Sequence, residues 1–189
     1  MKKFELTTEF VTNVFGKKLF RIKALVAFGN VEEGELGGYV EKEENLSHDG
    51  NAWVYGNAWV SGNAEVSGNA KVSGNAEVSG NAKVSGNAWV SGNAWVYGNA
   101  WVSGNAEVSG NAKVSGDADY TTIKGFGTQF RCTTFFRCKD KFVRVVCGCF
   151  YGTIEEFREQ VKKTRQDKIA EEYLMIADLM ELHFKEDEM

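Results

Sequence analysis

Histidine is the residue best suited to proton transfer near neutral pH, and this chain of 189 residues has two, His48 and His183. His48 precedes Asp49, and a His–Asp pair can act as a base, but adjacent residues in a loop seldom point at each other. His183 lies near the end of a predicted helix, where a partly exposed histidine is the ordinary case. No Ser-His-Asp constellation, phosphate loop or paired-carboxylate motif stands out. We therefore predict that the chain is not an enzyme and has neither catalytic residues nor a cofactor.

The four cysteines fall close together in the sequence, at Cys132, Cys138, Cys147 and Cys149. Such a cluster raises the possibility of a zinc site, but the spacing contains no C-x-x-C pair. A two-residue hairpin turn at Lys139–Asp140 would place Cys132 opposite Cys147. A cytosolic protein keeps its thiols reduced, so we interpret the cysteines as buried free thiols and predict no bound metal. A metal site and a redox role are the alternatives.

Aromatic side chains are a third group that could carry a function, in this case binding. The interface-forming residues tryptophan and tyrosine recur at the variable positions of a repeat. An oligomer interface or protein contact is the first interpretation, and a glycan or small-molecule site, packing under the terminal domains and a plain surface are the alternatives. The candidate binding or interface residues are Trp53, Tyr55, Trp59, Trp89, Trp95, Tyr97 and Trp101.

These aromatic residues belong to eleven consecutive hexads of the form Asn-Ala-x-Val-y-Gly, which run from Asn51 to Gly116. Residues two apart in an extended segment face the same side, so alanine and valine point inward and residue x between them points outward. Gly-Asn then turns the corner, because glycine adopts positive φ without cost. No helical period is present, and a short repeat of this kind is typical of a β-solenoid.

The hexad resembles the hexapeptide motif of the left-handed β-helix superfamily, as the run from Val54 to Trp59 illustrates. The resemblance implies a three-sided, left-handed parallel β-helix with about eighteen residues per coil. The superfamily includes acyltransferases that use a histidine base, carbonic anhydrases that bind metal through three histidines, and non-enzymatic members. A chain with two histidines cannot supply three ligands by itself, and fold alone does not assign function.

A coil of eighteen residues places residue i under residue i+18, which predicts the order of the outward residues on each side. One side carries Trp53, Lys71, Trp89 and Glu107, the second Trp59, Glu77, Trp95 and Lys113, and the third Glu65, Lys83, Trp101 and Asp119. No like charges and no two tryptophans then stack directly. The corner asparagines are predicted to form ladders, one of which contains Asn51, Asn69, Asn87 and Asn105.

Both ends of such a solenoid require a cap, since open ends expose strand edges and the apolar interior. We predict an N-terminal β cap over residues 1–46, the repeat solenoid over 47–118 and a C-terminal α+β cap over 119–189. In the first cap, Phe4–Thr7 pairs with a strand over Lys17–Leu25. The second cap is a hairpin and two helices. Its hairpin strands are Thr128–Cys138 and Phe142–Phe150, one helix runs from a capping box at Thr153 to about Thr164, and the other spans Asp167–Phe184.

Charge and hydropathy limit the partners. The net charge is −4 and no basic stripe is present, so nucleic-acid binding is not expected. No apolar segment has the length of a signal peptide or membrane span, which predicts no membrane association and a cytoplasmic protein. Five tryptophans on a short rod expose a large apolar area, so we predict a homo-oligomer, either trimer or dimer.

The flanking segments Gly37–Ser47 and Cys147–Phe157 resemble hexapeptide-repeat proteins encoded by phages and prophages, which implies a bacterial or phage-infected host cell. Our first functional hypothesis is a non-catalytic binding or scaffold protein that self-associates and contacts a host protein or a small ligand through its tryptophan-bearing surface. A phage-encoded inhibitor or sponge of a host factor or nucleotide signal is the second. A hexapeptide-repeat acyltransferase is the third.

Overall fold

Three strands precede the repeats in the computed structural model, which describes residues 1–185. They are β1 (Phe4–Thr12), β2 (Lys18–Ala24) and β3 (Leu36–Val40). β1 and β2 form an antiparallel hairpin in which Phe4 pairs with Ala24, and β2 pairs antiparallel with β3. The predicted pairing of Phe4–Thr7 with the following strand is confirmed, and the hairpin extends beyond it because β1 continues to Thr12.

Each hexad forms one two-residue strand that covers its x and valine positions. In every hexad but the last, a glycine with positive φ follows at the corner, for example Gly74 with φ 71°. The backbone of the hexad fits only glycine there, since an added Cβ at Gly74 would lie 2.9 Å from the carbonyl oxygen of Gly92. The strands are β4 (Trp53–Val54), β5 (Trp59–Val60), β6 (Glu65–Val66), β7 (Lys71–Val72), β8 (Glu77–Val78), β9 (Lys83–Val84), β10 (Trp89–Val90), β11 (Trp95–Val96), β12 (Trp101–Val102), β13 (Glu107–Val108) and β14 (Lys113–Val114).

The strands stack in parallel into three walls, with every strand paired to the one eighteen residues away. One wall has the order β4-β7-β10-β13, the second β6-β9-β12, and the third β5-β8-β11-β14. The third wall is continuous with the N-terminal strands, because β3 pairs in parallel with β5 and gives a seven-stranded sheet. The predicted three-sided solenoid with eighteen residues per coil is therefore confirmed, and its left-handed winding stays a prediction.

The solenoid interior is filled by the alanines and valines of the repeat, all of which are at most 1 % exposed from Ala52 to Val114. Burial of each valine side chain contributes about 1.5–3 kcal/mol, so the hydrophobic effect is distributed evenly along the rod. The corner asparagines form the predicted ladders. The Asn51 amide donates to Asn69 at 3.1 Å, and Asn69 donates to Asn87 at 3.1 Å.

The C-terminal cap contains four antiparallel strands and two helices. The strands are β15 (Tyr120–Phe126), β16 (Arg131–Arg137), β17 (Val143–Cys147) and β18 (Phe150–Thr153), and the helices are α1 (Ile154–Thr164) and α2 (Asp167–Phe184). The predicted hairpin is β16–β17, with one further strand on each side. Among residues 1–185, neither helix combines the length and hydropathy that a membrane crossing requires.

The helices begin as predicted. The Thr153 hydroxyl accepts from Glu156 N–H at 3.1 Å and the Glu156 carboxylate accepts from Thr153 N–H at 2.7 Å, which completes the capping box. The helices cover the sheet with a core of large side chains that is separate from the Ala/Val interior. Its buried members are Phe135, Val145, Ile154, Phe157, Val161, Tyr173, Ile176, Ala177, Met180 and Phe184.

The predicted pairing of Cys132 with Cys147 is wrong by one residue. Cys147 lies opposite Thr133, and the Thr133 hydroxyl donates to its sulfur at 3.2 Å. The register shifts because the turn has three residues rather than two, with Lys141 at φ 68° and Cys138 N–H donating to the Phe142 carbonyl at 3.0 Å. Burial raises the pKa of Cys138 to about 11, so that side chain is a thiol at neutral pH.

Candidate binding groove

Trp53 is the one predicted surface aromatic that the structure encloses completely. It points away from the solenoid axis, as the alternation requires, but the N-terminal cap covers it and leaves the side chain 0 % exposed. Phe4 and Phe28 contact the indole edge-on, with ring centroids 6.2 and 5.3 Å away. Gly37 lies so close that a Cβ there would be 2.7 Å from the ring. The expected exposure of Trp53 is therefore wrong, and the alternative of packing under a terminal domain is correct for this residue, which joins cap and solenoid.

Trp89 and Trp101 are exposed but lie on different walls. Their side chains are 45 % and 54 % exposed. Each indole N–H donates to the serine hydroxyl sixteen residues earlier, Trp89 to Ser73 at 2.9 Å and Trp101 to Ser85 at 3.0 Å. Tyr55 is partly buried against the core and shares a shallow hollow with Trp89. These two tryptophans do not converge on a single surface.

Trp59 and Trp95 do converge. They lie two coils apart on the third wall, and Glu77 occupies the intervening coil in direct register with both. Two rungs of a parallel sheet separate their backbones by about 9.6 Å. Trp95 also contacts Tyr97, with ring centroids 4.7 Å apart. The wall thus presents an indole, a carboxylate and a second indole in sequence.

Two arms from opposite ends of the molecule border this stretch of wall. The first is the tip of the β1–β2 hairpin, residues 13–17, which carries the exposed Val14 and Phe15. The second is the β16–β17 turn, where Lys139 reaches the wall. They enclose a cleft of about 540 Å³, which we call the Trp59–Trp95 groove. Phe15, Lys17, Trp59, Glu77, Trp95 and Lys139 are among the residues that line it.

The hairpin arm is tied to the wall by hydrogen bonds and an ion pair. Lys17 Nζ lies 2.9 Å from the Glu41 carboxylate, which also accepts from Gly62 N–H at 2.6 Å. Burial would raise the pKa of Glu41, but the Gly62 N–H and the Lys17 ammonium together hold it below its ordinary value. The Asn13 side chain closes the tip by accepting from Phe15 N–H and Lys17 N–H, both at 3.0 Å.

The C-terminal arm is fixed mainly through Lys139. Its N–H donates to the Asn111 carbonyl at 3.0 Å, and its ammonium donates to the Asn93 carbonyl at 3.2 Å. The same ammonium lies 5.9 Å from the centre of the Trp95 ring, within the range of a cation–π interaction. Both borders of the groove are therefore held in place before any ligand enters, which lowers the entropic cost of binding.

Glu77 contributes a negative charge between the two indoles of the groove. Burial raises its pKa, and the positive charge of Lys139 partly opposes that effect. Among residues 1–185, Glu77 has no lysine, arginine or histidine within ion-pair distance. A partly desolvated carboxylate between two indoles is suited to a ligand that brings its own positive charge.

His48 is occupied by structural contacts. Its Nδ1 accepts from Lys3 N–H at 3.1 Å, so the proton of the neutral ring lies on Nε2, which is 2.7 Å from a Glu43 carboxylate oxygen. The ring also stacks on Phe4, with centroids 4.4 Å apart. Its hydrogen bond lowers the pKa of Glu43. Nδ1 and the ring face therefore hold the N-terminal segment, Nε2 holds Glu43, and both nitrogens are engaged.

A larger hollow of about 750 Å³ lies beside α2 and the β16–β17 turn. Its acidic side chains Asp178 and Glu181 already pair with Arg158. Within residues 1–185, no three His, Cys, Asp or Glu side chains are grouped to hold a metal ion. The predicted burial of the thiols is correct for Cys138 only, since the other three cysteines are half-buried or exposed. The Trp59–Trp95 groove is the better candidate, since it combines aromatic faces with an unpaired charge.

Of the groove residues, sequence reasoning selected Trp59 and Trp95 but missed Phe15, Lys17, Glu77 and Lys139. Tyr97, which it also selected, contacts Trp95 but lines a separate hollow. The apolar pair Val14-Phe15 beside Gly16 in a turn was a usable signal, because large apolar residues at a hairpin tip are uncommon without a contact to make. Glu77 was placed between the two tryptophans by the eighteen-residue period. Nothing in the sequence indicated that Lys139 would reach the same wall.

The fold and the groove define a β-solenoid repeat protein with capped ends. The family model described as the YdcK beta solenoid repeat matches residues 82–98 and 88–104, so the chain is similar to that family in its central coils. A comparison with curated proteins finds no match.

Proposed function

We propose that this chain is a non-catalytic binding protein, in which a rigid solenoid presents the Trp59–Trp95 groove to a partner. One observation carries the proposal: arms from both ends of the molecule border the same stretch of wall, and that stretch holds Trp59, Glu77 and Trp95. Tryptophan dominates the energetics of many interfaces because it contributes a large rigid contact area. A preformed cleft lined by indoles therefore favours recognition.

Binding is favoured over acyl transfer by the state of the histidines. Acyl transfer in the hexapeptide-repeat enzymes requires a histidine that is available as a base, whereas both nitrogens of His48 are engaged. His183 lies in α2 with its ring 4.8 Å from that of Phe184, far along the chain from the groove residues. Neither contact pattern supplies a base beside Trp59 or Trp95.

The experiment compares two double variants that remove the same side chains from different walls. Trp59→Ala/Trp95→Ala empties the groove, and Trp89→Ala/Trp101→Ala is the matched control. A thermal-shift screen with acyl-CoAs, cyclic nucleotides, sugars and short charged peptides should find a class that raises Tm for wild type and control but not for the groove variant. A shift that survives in the groove variant and disappears in the control would contradict the proposal, and a CoA shift lost in His48→Ala would favour an acyltransferase.

Self-association is the second part of the proposal. Among the described residues β1 pairs only with β2 and is the free edge of the seven-stranded sheet, and Phe10 and Val11 on it are 45 % and 40 % exposed. A free edge with exposed apolar residues favours pairing with another copy. Light scattering should give a dimer or trimer, and Val11→Lys should weaken it while Phe130→Lys, at another exposed apolar residue, should not. A monomer at micromolar concentration would count against this part.

A narrower version of the proposed binding function is that of a cytoplasmic, phage- or prophage-encoded inhibitor or sponge of a host factor or nucleotide signal. The resemblance of the two flanking segments to phage hexapeptide-repeat proteins supports it. The cyclic-nucleotide arm of the screen tests it directly, because a sponge for a nucleotide signal requires a shift with nucleotides alone. The negative Glu77 at the centre of the groove disfavours a phosphate-bearing ligand there, so this form would need another surface.

A further inference from the structure

The outer face of the seven-stranded sheet forms one continuous ladder of side chains. Tyr39 is in register with Trp59, Trp59 with Glu77, Glu77 with Trp95, and Trp95 with Lys113. Arg21 lies opposite Tyr39 on the other side. Aromatic and charged residues therefore alternate from Trp59 to Lys113, and Tyr39 adds a second aromatic residue beside Trp59.

The chain places its own cations over the aromatic rings of this wall. The guanidinium carbon of Arg21 lies 5.2 Å from the centre of the Tyr39 ring, and that guanidinium donates to the Tyr39 hydroxyl at 2.8 Å. Lys139 approaches Trp95 and Lys113 approaches Tyr97, each at 5.9 Å. Trp59 has no such cation within residues 1–185. The wall is thus favourable to cations, and the position over Glu77 next to Trp59 is left for a ligand.

The charges around the groove select the sign of that ligand. Lys17 is matched by Glu41 at 2.9 Å, and Lys139 directs its ammonium to the Asn93 carbonyl. Glu77 makes no ion pair within residues 1–185, and in this partly buried site the nearby charge of Lys139 offsets its negative charge only in part. An anion would be repelled by Glu77, a neutral ligand would leave it unpaired at a cost, and a cation would pair with it.

The spacing of the indoles selects the shape. Two rungs separate the backbones of Trp59 and Trp95 by about 9.6 Å along the wall, and Glu77 lies on the rung between them. A flat group bonded to that carboxylate would therefore have an indole on each side. A guanidinium is planar, stacks on aromatic faces and bonds a carboxylate through two parallel N–H groups, whereas an ammonium is compact and strongly hydrated.

From this arrangement we propose that the Trp59–Trp95 groove recognises an arginine side chain of a protein partner, with the guanidinium between the two indoles and bonded to the Glu77 carboxylate. This inference rests on the proposed binding function and names its ligand. The chemistry is non-covalent, and the selectivity expected is for arginine over lysine and over uncharged isosteres.

The test uses the indole N–H signals of the 15N-labelled full chain, which has five tryptophans that single Trp→Phe variants assign. The probes are the peptide acetyl-Gly-Arg-Gly-amide and its lysine and citrulline analogues. The arginine peptide should move the Trp59 and Trp95 signals and leave those of Trp53, Trp89 and Trp101 in place. The citrulline peptide, which has nearly the same shape without the charge, should bind at least tenfold more weakly, and the lysine peptide several-fold more weakly.

A pair of isosteric variants isolates the carboxylate. Glu77→Gln should weaken the arginine peptide at least fivefold, while Glu65→Gln, at the same repeat position on another wall, should leave its affinity unchanged. Both positions tolerate substitution, since hexads carry Glu, Lys or Trp there, and an unchanged spectrum of the free variant checks its fold.

The outcomes separate this inference from the proposed function. Equal affinity for the arginine and citrulline peptides, or no movement of the two groove signals at millimolar peptide, overturns the inference. A sugar or nucleotide that moves the Trp59 and Trp95 signals instead also overturns it but leaves the binding function intact. Movement of the Trp89 or Trp101 signals alone overturns both.

Discussion

Trp53 and Trp95 occupy the same position in two hexads of identical sequence, yet one lies in a closed region and the other in an open one. Trp53 is enclosed by Phe4 and Phe28 of the N-terminal cap, whereas Trp95 forms one side of a groove that remains accessible. Each region also holds a charge that burial perturbs, Lys3 under the cap and Glu77 on the open wall. The repeat decides the direction in which a side chain points, and the caps decide whether it serves stability or recognition.

Removal of Trp53 gives the largest effect that separates the two regions. Trp53→Ala should lower the free energy of unfolding by about 3–5 kcal/mol, because a large buried side chain leaves a cavity between cap and solenoid. Trp101→Ala, which removes a side chain that is 54 % exposed, should cost less than about 1 kcal/mol. Urea unfolding followed by circular dichroism measures both. Equal losses for the two variants would remove the distinction between closed and open wall.

The buried amine of Lys3 tests the closed region through pH. Its side chain is 3 % exposed and donates to the Ala52 carbonyl at 2.9 Å, and burial, partly offset by Asp49, lowers its pKa from 10.5 to about 8. Between these values the unfolded chain binds a proton that the folded chain does not. The stability contributed is therefore present above pH 10.5 and is lost as the pH falls towards 8, by at most about 3 kcal/mol.

The measurement is the difference in unfolding free energy between wild type and Lys3→Met at pH values from 7 to 11. That difference should rise between about pH 8 and pH 10.5 and be level below pH 8. Lys23→Met, at an exposed strand position, is the control and should give a flat difference. A flat difference for Lys3→Met would place its ammonium in water.

The asparagine ladder is expected to have a smaller effect on the open part of the rod. Asn81 accepts from the Asn63 amide at 3.2 Å and donates to Asn99 at 3.0 Å. Asn81→Ala breaks both exposed hydrogen bonds and should cost about 1–2 kcal/mol, since each is worth about 0.5–1.5 kcal/mol. Ser79→Ala in the preceding corner is the comparison. Thermal unfolding that is unchanged by Asn81→Ala would show that backbone pairing alone holds the coils together.

Substitution of Glu77, in the open region, is expected to have the smallest effect on the free energy of unfolding. Burial raises its pKa, so the folded chain retains a proton that the unfolded chain has lost, and stability falls as the pH rises through the raised value. Glu77→Gln should remove that fall and gain up to about 0.5 kcal/mol at pH 7, within the range of surface substitutions. The readout is Tm from pH 4 to pH 7 for both proteins. A wild-type curve parallel to that of Glu77→Gln would mean that the carboxylate is fully hydrated.

Features that depend on local chemistry or on the repeat were predictable from the sequence. The eighteen-residue coil, the Asn51–Asn69 ladder and the capping box at Thr153 follow from period, side-chain type and spacing. The Cys147 register was not predictable, because a turn of two or three residues is decided by whether Lys141 adopts a left-handed conformation. The burial of Trp53 and the approach of Lys139 were also hidden, since both depend on how the caps dock on the rod, and docking brings together residues that are distant in sequence.

The two arms of the groove belong to opposite caps, so the number of coils between them sets their separation. Insertion of three hexads would add one rung and move the arms apart by about 4.8 Å, with both still on the same wall. Insertion of a single hexad would instead rotate one cap by a third of a turn and send its arm to a different wall. The number of whole coils in the solenoid therefore determines the length of the ligand that fits between the two arms.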